Sequence, residues 1–318
     1  MNISVENGGD YSPIAVHRLI APDSAAGRRL DQVLAELLPE HSRARLQAWI
    51  REGRVTLDGA IEAEGKRRLK GGEALVLLPG VDAQAAAGMP EDIPLAVVFE
   101  DEALLVIDKP AGLVVHPGSG NWSGTLMNAL LHRCPELAEV PRAGIVHRLD
   151  KETSGLLVVA RSLTAQTDLV RQLQARSVKR QYLAVAAGRL ERDGQVEVPI
   201  GRHPVQRTRM AVVSEGRGGK PALTRYRVVE RFARCTLVEC SLETGRTHQI
   251  RVHMASIGHP LVGDPVYGRG EQKLPAFQRQ ALHAARLGLV HPVSGARLEW
   301  QSPLPGDFNA LLETLRGA

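Results

Sequence analysis

From residue 92 onward the chain is a succession of short apolar runs: LAVVFED, LLVIDKPAGLVV, GLLVVAR, QYLAVAAG, ALTRYRVVE and CTLVECSL. Gly, Pro or Asp interrupts each run before it could span a membrane, and the β-branched content reads as strands. Helix-like stretches fall near 123–133, 164–175 and 247–257, without regular alternation with the strands. That pattern predicts an α+β sheet rather than a parallel, doubly wound one.

Upstream lies a separate block. In RRLDQVLAELLPE, Leu30, Val33, Leu34, Leu37 and Leu38 recur at helical spacing and Pro39 closes the run. Ser42 can cap a second helix that buries Leu46, Trp49 and Ile50 and presents Arg43, Arg45 and Arg51. Asp58-Gly59 marks a hairpin turn, and Lys66, Arg67, Arg68 and Lys70 follow it. Helix, basic helix and hairpin in that order over residues 28–78 resemble the S4 RNA-binding domain. The resemblance implies a small α/β module whose bases (Arg43, Arg45, Arg51, Lys66, Arg67 and Arg68) contact structured RNA. Residues 79–91, PGVDAQAAAGMPE, read as a linker, residues 1–27 as a flexible leader, and residues 92–318 as a second domain.

Charge is unevenly spread. The formal net charge is +5, yet residues 81–110 carry seven acids against Lys109 alone, and residues 201–234 carry nine bases against Glu215 and Glu230. The basic stretch suits phosphate contacts and serves equally as a solvated surface. Cys134, Cys235 and Cys240 form no CxxC pair, which points to a reducing, cytoplasmic compartment and away from structural zinc. The N-terminus lacks the blocks of a signal peptide. Aromatic residues are 3% of the chain, which disfavours recognition by rows of stacked bases.

Four segments set charged or special-geometry residues against apolar strands: IDKPAGLVVHPG, IVHRLDKETSGLLVVA, SVKRQYLAVAAG and LETGRTHQIRVHMASIGHPLVGDPVYG. Lys109-Pro110-Ala111-Gly112 fits a structural turn as well as a catalytic loop. Arg148 and Asp150 are two apart, so an extended backbone sends both side chains to one face. A carboxylate there, at a strand end beside a guanidinium, is ionised and oriented. Tyr182 follows Lys179-Arg180-Gln181, and a tight turn at Gly245 presents Arg246 ahead of Thr247, His248 and Arg251. His248, His253 and His259 do not have the i, i+4 spacing of a helical metal site, so no metal is expected. No GxSxG elbow or Walker A sequence is present.

Together, HRLDKETSGLLVVA and TGRTHQIRVH…GHPLVGDPVYG resemble the RluA-type pseudouridine synthases over about residues 92–305. With the S4-like block in front, the arrangement is similar to the RluD branch, which acts on large-subunit ribosomal RNA. The resemblance implies a mixed, mostly antiparallel central sheet with flanking helices and a central cleft. It implies Asp150 as the carboxylate that attacks C1′ or C6, or accepts a sugar proton. It implies Arg246 as the arginine that pairs with Asp150, and Tyr182 as the residue that packs on uracil and takes the C5 proton. Arg148 is implied to fill the space of the flipped base, with Lys179 and Arg180 as further RNA contacts. The isomerisation is redox-neutral and loses no atom, so no cofactor is expected. The expected partner is a structured RNA, a large-subunit stem-loop, and the chain is expected to act as a monomer. Two rival readings are a non-catalytic RNA-binding assembly protein and an Asp-nucleophile hydrolase of small molecules. The intact HRLD segment disfavours the first. The S4-like block would be idle in the second.

Overall fold

Strand β1 (His17–Ile20) alternates half-buried and exposed residues, the period-2 signature of a strand with one wet face. It opens the first of two units into which a computed structural model divides the chain, Met1–Ala86 and Ala87–Ala318. The described residues are 16–79, 85–118, 120–206, 209–268 and 276–317.

In the first unit, the predicted helices are α1 (Leu30–Leu37) and α2 (Arg43–Arg51). The Ser42 side chain accepts a hydrogen bond from the Arg45 amide at 3.3 Å, as an N-cap should. Three further strands follow: β2 (Val55–Leu57), β3 (Ala60–Ile61) and β4 (Ala74–Leu77). Asp58 and Gly59 both take positive φ between β2 and β3, the geometry of a tight hairpin turn. The sheet order is β1-β4-β2-β3, all antiparallel. Its core joins Leu30, Val33 and Leu34 to Leu46, Trp49, Ile50, Leu75 and Leu77.

Two sequence expectations need correction here. Residues 16–27 are not a free leader: β1 pairs with β4, the Ala21 amide donates to Glu73 O at 2.9 Å, and Ala25 is fully buried. Residues 1–15 lie outside the described residues. Nor is the end of the 79–91 segment a free linker. Asn128 donates to Met89 O at 2.7 Å, and the Glu91 carboxylate accepts from the Gly124 amide at 2.9 Å. Small apolar and polar residues carried no periodic signal for either contact, because both rest on backbone groups.

The second unit is built on nine strands, in the order β5-β6-β7-β14-β8-β13-β12-β9, with β15 beside β14. In chain order the elements are β5 (Ala96–Glu100), β6 (Leu104–Lys109), α3 (Leu126–Arg133), β7 (Ser154–Ala160), α4 (Leu163–Gln174), β8 (Lys179–Ala187) and β9 (Gly194–Glu197). The remainder are β10 (Ile200–Arg202), β11 (Met210–Val212), β12 (Leu223–Arg231), β13 (Cys235–Leu242), α5 (Gln249–Ser256), β14 (Leu282–Val290), β15 (Arg297–Gln301) and α6 (Gly306–Arg316). β10 and β11 form a separate hairpin sheet. Among the described residues only β7 and β14 run parallel within the large sheet, so it is mixed and mostly antiparallel, as expected.

β7 is buried at every residue because the sheet is covered on both faces. Leu157 and Val159 enter one core with Leu105 and Ile107, while Leu156 and Val158 enter the other with Leu104 and Val106. Gly155 lies at the parallel junction with φ +112°, where an added Cβ would sit 2.3 Å from Ala284 O. Only glycine fits that approach. No helix among the described residues is long and apolar enough to cross a membrane.

Candidate active site

The loop between Ile145 and β7 carries His147, Arg148 and Asp150, and its backbone is pinned carbonyl by carbonyl. Asp150 O accepts from the Thr153 amide at 3.0 Å. Lys151 O accepts from Lys109 Nζ at 3.0 Å and from the Gly112 amide at 2.9 Å. Glu152 O accepts from Arg279 Nη1 at 3.0 Å. Lys109 is the anchor. Its ammonium is buried and donates also to Pro110 O at 2.7 Å and Leu113 O at 2.9 Å, so three donors meet three acceptors. Burial pushes its pKa down to about 8 against the raising influence of Glu152 and Asp150. Of the two readings of the Lys109-Pro110-Ala111-Gly112 turn, the contacts are those of the structural one, with the lysine sequestered rather than solvated.

His147 plays a comparable part. Its Nε2 accepts from the Val158 amide at 3.2 Å, and desolvation, with Arg180 nearby, pushes its pKa down to about 3. A neutral imidazole thus ties the loop to β7.

The Asp150 carboxylate points into a cleft of about 310 Å³ that Arg148, Arg180, Tyr182, Arg246 and His248 also line. A cavity of this size admits a small ring compound. Asp150 Oδ2 accepts from Arg251 Nη1 at 2.9 Å. Arg251 in turn grips Asp264 with both remaining edges of its fork, Nε to Oδ2 at 2.7 Å and Nη2 to Oδ1 at 2.9 Å. The Asp150 side chain retains 17% of its surface, against 4% for Arg251, so the carboxylate is reachable and the guanidinium is not. Desolvation works against the charge on Arg251, but the hydrogen bonds and charges of Asp264 and Asp150 outweigh it and raise its pKa. Desolvation likewise opposes the Asp264 charge, and Arg251 with the Tyr267 and Val266 amides reverses it, leaving the pKa lowered.

This corrects the sequence expectation for Arg246. It lines the cleft, but its Nε donates to Pro221 O at 3.1 Å, and Arg251 holds Asp150 instead. The cause is the turn. Gln249 is buried, accepts from the Arg246 amide at 2.9 Å and from Thr244 Oγ1 at 2.8 Å, and aims Arg246 outward. One turn later on α5, Arg251 faces inward. The sequence signal for it was its position in THQIR, three residues after His248 and so on the same helical face.

Tyr182 sits on β8, buried against the core and opening into the same cleft. Desolvation raises its phenol pKa, Arg180 lowers it and Asp150 raises it further. Arg148 is exposed and donates to Thr247 Oγ1 at 2.8 Å, on the opposite lip. Arg180, expected as a surface RNA contact, is buried in the cleft wall. Lys179 stays exposed at the start of β8.

His248 was not expected as a site residue. It caps α5 in the left-handed region at φ 56°, with Nε2 3.9 Å from Asp150 Oδ1 and Nδ1 2.9 Å from the Tyr267 hydroxyl. Desolvation lowers its pKa despite the nearby Asp150. The Tyr267 ring carries Arg251 and Arg209 at 5.2 and 5.4 Å, and its hydroxyl accepts from the Met210 amide.

In the first unit, Arg43 donates to the buried Asp31 at 2.9 Å, alongside Arg29 and Gln47. Arg45 lies 5.9 Å from the Trp49 ring, Arg67 approaches Glu62 at 3.8 Å and Arg68 donates to Gly27 O. Arg51 and Lys66 are exposed. Much of the 201–234 stretch is paired within the protein, for example Arg225 to Glu243 at 2.8 Å and Arg227 to Glu239 at 3.4 Å, while Arg207 lies outside the described residues.

Residues 103–256 match the RNA pseudouridylate synthase family and residues 28–75 match the S4 domain. Ribosomal large subunit pseudouridine synthase D of Nitrosomonas europaea is 58% identical over 94% of this chain and 87% of the relative. The proteins of the same name from Pseudomonas aeruginosa and Escherichia coli K12 are 54% and 50% identical, over 93% and 92% of this chain and 94% and 92% of theirs. Among solved structures, human RNA pseudouridylate synthase domain containing 1 superposes with a TM-score of 0.55 at 27% identity, over 72% of this chain and 97% of that one. The chain belongs to the RNA pseudouridine synthase family and carries an S4 domain, which makes it an isomerase acting on RNA.

Proposed function

We propose that the protein isomerises uridines of large-subunit ribosomal RNA to pseudouridine, with Asp150 as the reacting carboxylate. The observation that carries this reading is the Asp150 carboxylate, open to the cleft on one side and held by the buried Arg251 on the other. Because Arg251 is also locked to Asp264, its hydrogen bond holds the Asp150 carboxylate in place and aims it into the cleft. A uridine must leave its stack to reach such a site, at a cost of about a few kcal/mol. Arg148, on the exposed lip, fills the vacated space with a planar guanidinium. Tyr182 packs on the uracil within the cleft and relays the C5 proton as the base rejoins C1′, its hydroxyl giving up its own proton to water in the open cleft as it takes the new one. Arg246 contacts the substrate backbone from the outer lip, and the exposed Lys179 at the start of β8 adds a further backbone contact.

Arg45, Arg51, Lys66, Arg67 and Arg68 of the first unit contact phosphates of a stem-loop, and Arg43 supports them through Asp31. The names of the relatives favour the large-subunit substrate. The enzyme works as a monomer in the cytoplasm, where its three free, buried cysteines stay reduced.

The test is tritium release from large-subunit RNA labelled at uracil C5. Wild type releases tritium, and Asp150→Asn releases none above background while retaining RNA affinity. Equal release by the variant would remove Asp150 from its role. No release by wild type would favour an assembly protein without turnover.

A further inference from the structure

The fold brings His17 to two potential metal ligands that neighbour each other in sequence, Glu40 and His41. His17 begins β1, while Glu40 and His41 lie between α1 and α2, and one ligand atom from each falls within 4.8 Å of the others. His41 Nε2 and Glu40 Oε1 are 4.0 Å apart. A tetrahedral zinc ion with bonds of about 2.0–2.2 Å sets its ligands about 3.3–3.5 Å apart. A rotamer adjustment of about 1 Å closes the difference, and the exposed Glu40 is free to make it.

A second observation points to a ligand. Both ring nitrogens of His41 are buried and make no hydrogen bond. A buried imidazole with neither nitrogen satisfied is destabilising, and a bound ion would satisfy one of the two. The ring is also held in place: it stands edge-on to Trp49 at 4.9 Å and to His17 at 5.5 Å, and Trp49 is anchored in the core. Two imidazoles and one carboxylate, with a side open to water, form a donor set for a borderline divalent ion.

We propose that His17, Glu40 and His41 form a divalent transition-metal site of the zinc class that fastens β1 to the turn between α1 and α2. The ion is structural. It cross-links β1 to the N-terminal end of α2, the helix that carries Arg43 and Arg45. The site is remote in sequence from Asp150 and takes no part in the isomerisation.

The experiment uses the full chain without a histidine tag, with Trp122→Phe and Trp300→Phe leaving Trp49 as the sole tryptophan. Cobalt(II) quenches tryptophan at short range, so Trp49 reports binding beside His41. We expect saturable quenching at one equivalent of cobalt, reversal by zinc, and a thermal transition of the first unit that rises with free zinc. His17→Ala and His41→Ala weaken binding by at least about 100-fold, and Glu40→Gln by about 10-fold or more. Glu40 is exposed, so Glu40→Gln keeps the fold even if His41→Ala does not. Tritium release is unchanged in Glu40→Gln. Quenching that never saturates, or an affinity that Glu40→Gln and His17→Ala leave unaltered, overturns the proposal. With 11 histidines in the chain, only site-specific quenching separates this site from loose surface binding.

Discussion

At the scale of single residues, the pairing of Asp150 with Arg251 rather than Arg246 separates two otherwise similar arginines. Arg251 is buried between two carboxylates, so Arg251→Met leaves Asp264 uncompensated and costs about 3–5 kcal/mol of unfolding free energy. Arg246 is exposed, and Arg246→Met changes stability by no more than about 0.5 kcal/mol. Urea denaturation of both variants checks this, and an equal loss at position 246 would return the ion pair to that residue. His147 gives a pH prediction. Its folded pKa of about 3 lies below the ordinary value of about 6.5, so the unfolded state binds the proton first. Its contribution to stability is full above pH ~6.5 and is lost as pH falls toward ~3. In His147→Gln, the decline in denaturation midpoint between neutral and acid pH should be shallower.

At the scale of elements, the site depends on how β7 meets its neighbours. Ala at position 155 would drive a Cβ to 2.3 Å from Ala284 O and strain φ +112°, so Gly155→Ala parts β7 from β14. We expect a loss of more than about 3 kcal/mol or insoluble expression, measured by calorimetry of whatever soluble protein remains. Lys109 acts one step nearer the chemistry. Lys109→Met leaves the carbonyls of Pro110, Leu113 and Lys151 short of a donor, at a cost of about 1–3 kcal/mol. Single-turnover tritium release should slow while RNA affinity holds, because the loop bearing Asp150 loosens. An unchanged rate would show that the Gly112 amide alone holds Lys151.

At the scale of the whole molecule, the chain has two units with separate cores, and the proposed function has both contact one RNA. Deleting residues 1–86 should weaken RNA binding and flatten its dependence on salt, since phosphate contacts release counterions, while single-turnover chemistry at saturating RNA changes less. Filter binding across salt concentrations, set beside single-turnover rates, separates the two effects. A purely chemical defect would contradict the assignment of RNA contacts to the first unit.

What could be read from the sequence was what short-range physics controls. The period of Leu30, Val33 and Leu34 gave α1, Asp58-Gly59 gave its hairpin, and the dense HRLD and THQIR segments marked both walls of the cleft. The choice between Arg246 and Arg251 was not local. It depends on the buried Gln249 turning one side chain outward and on Asp264 receiving the other, across a separation of 101 residues from Asp150 to its partner. The cluster of His17, Glu40 and His41 likewise exists only once β1 pairs with β4. Local sequence sets which elements form and which residues are out of place. Which charge meets which is settled by sheet order and register, because a side chain finds its partner only where the backbone brings it.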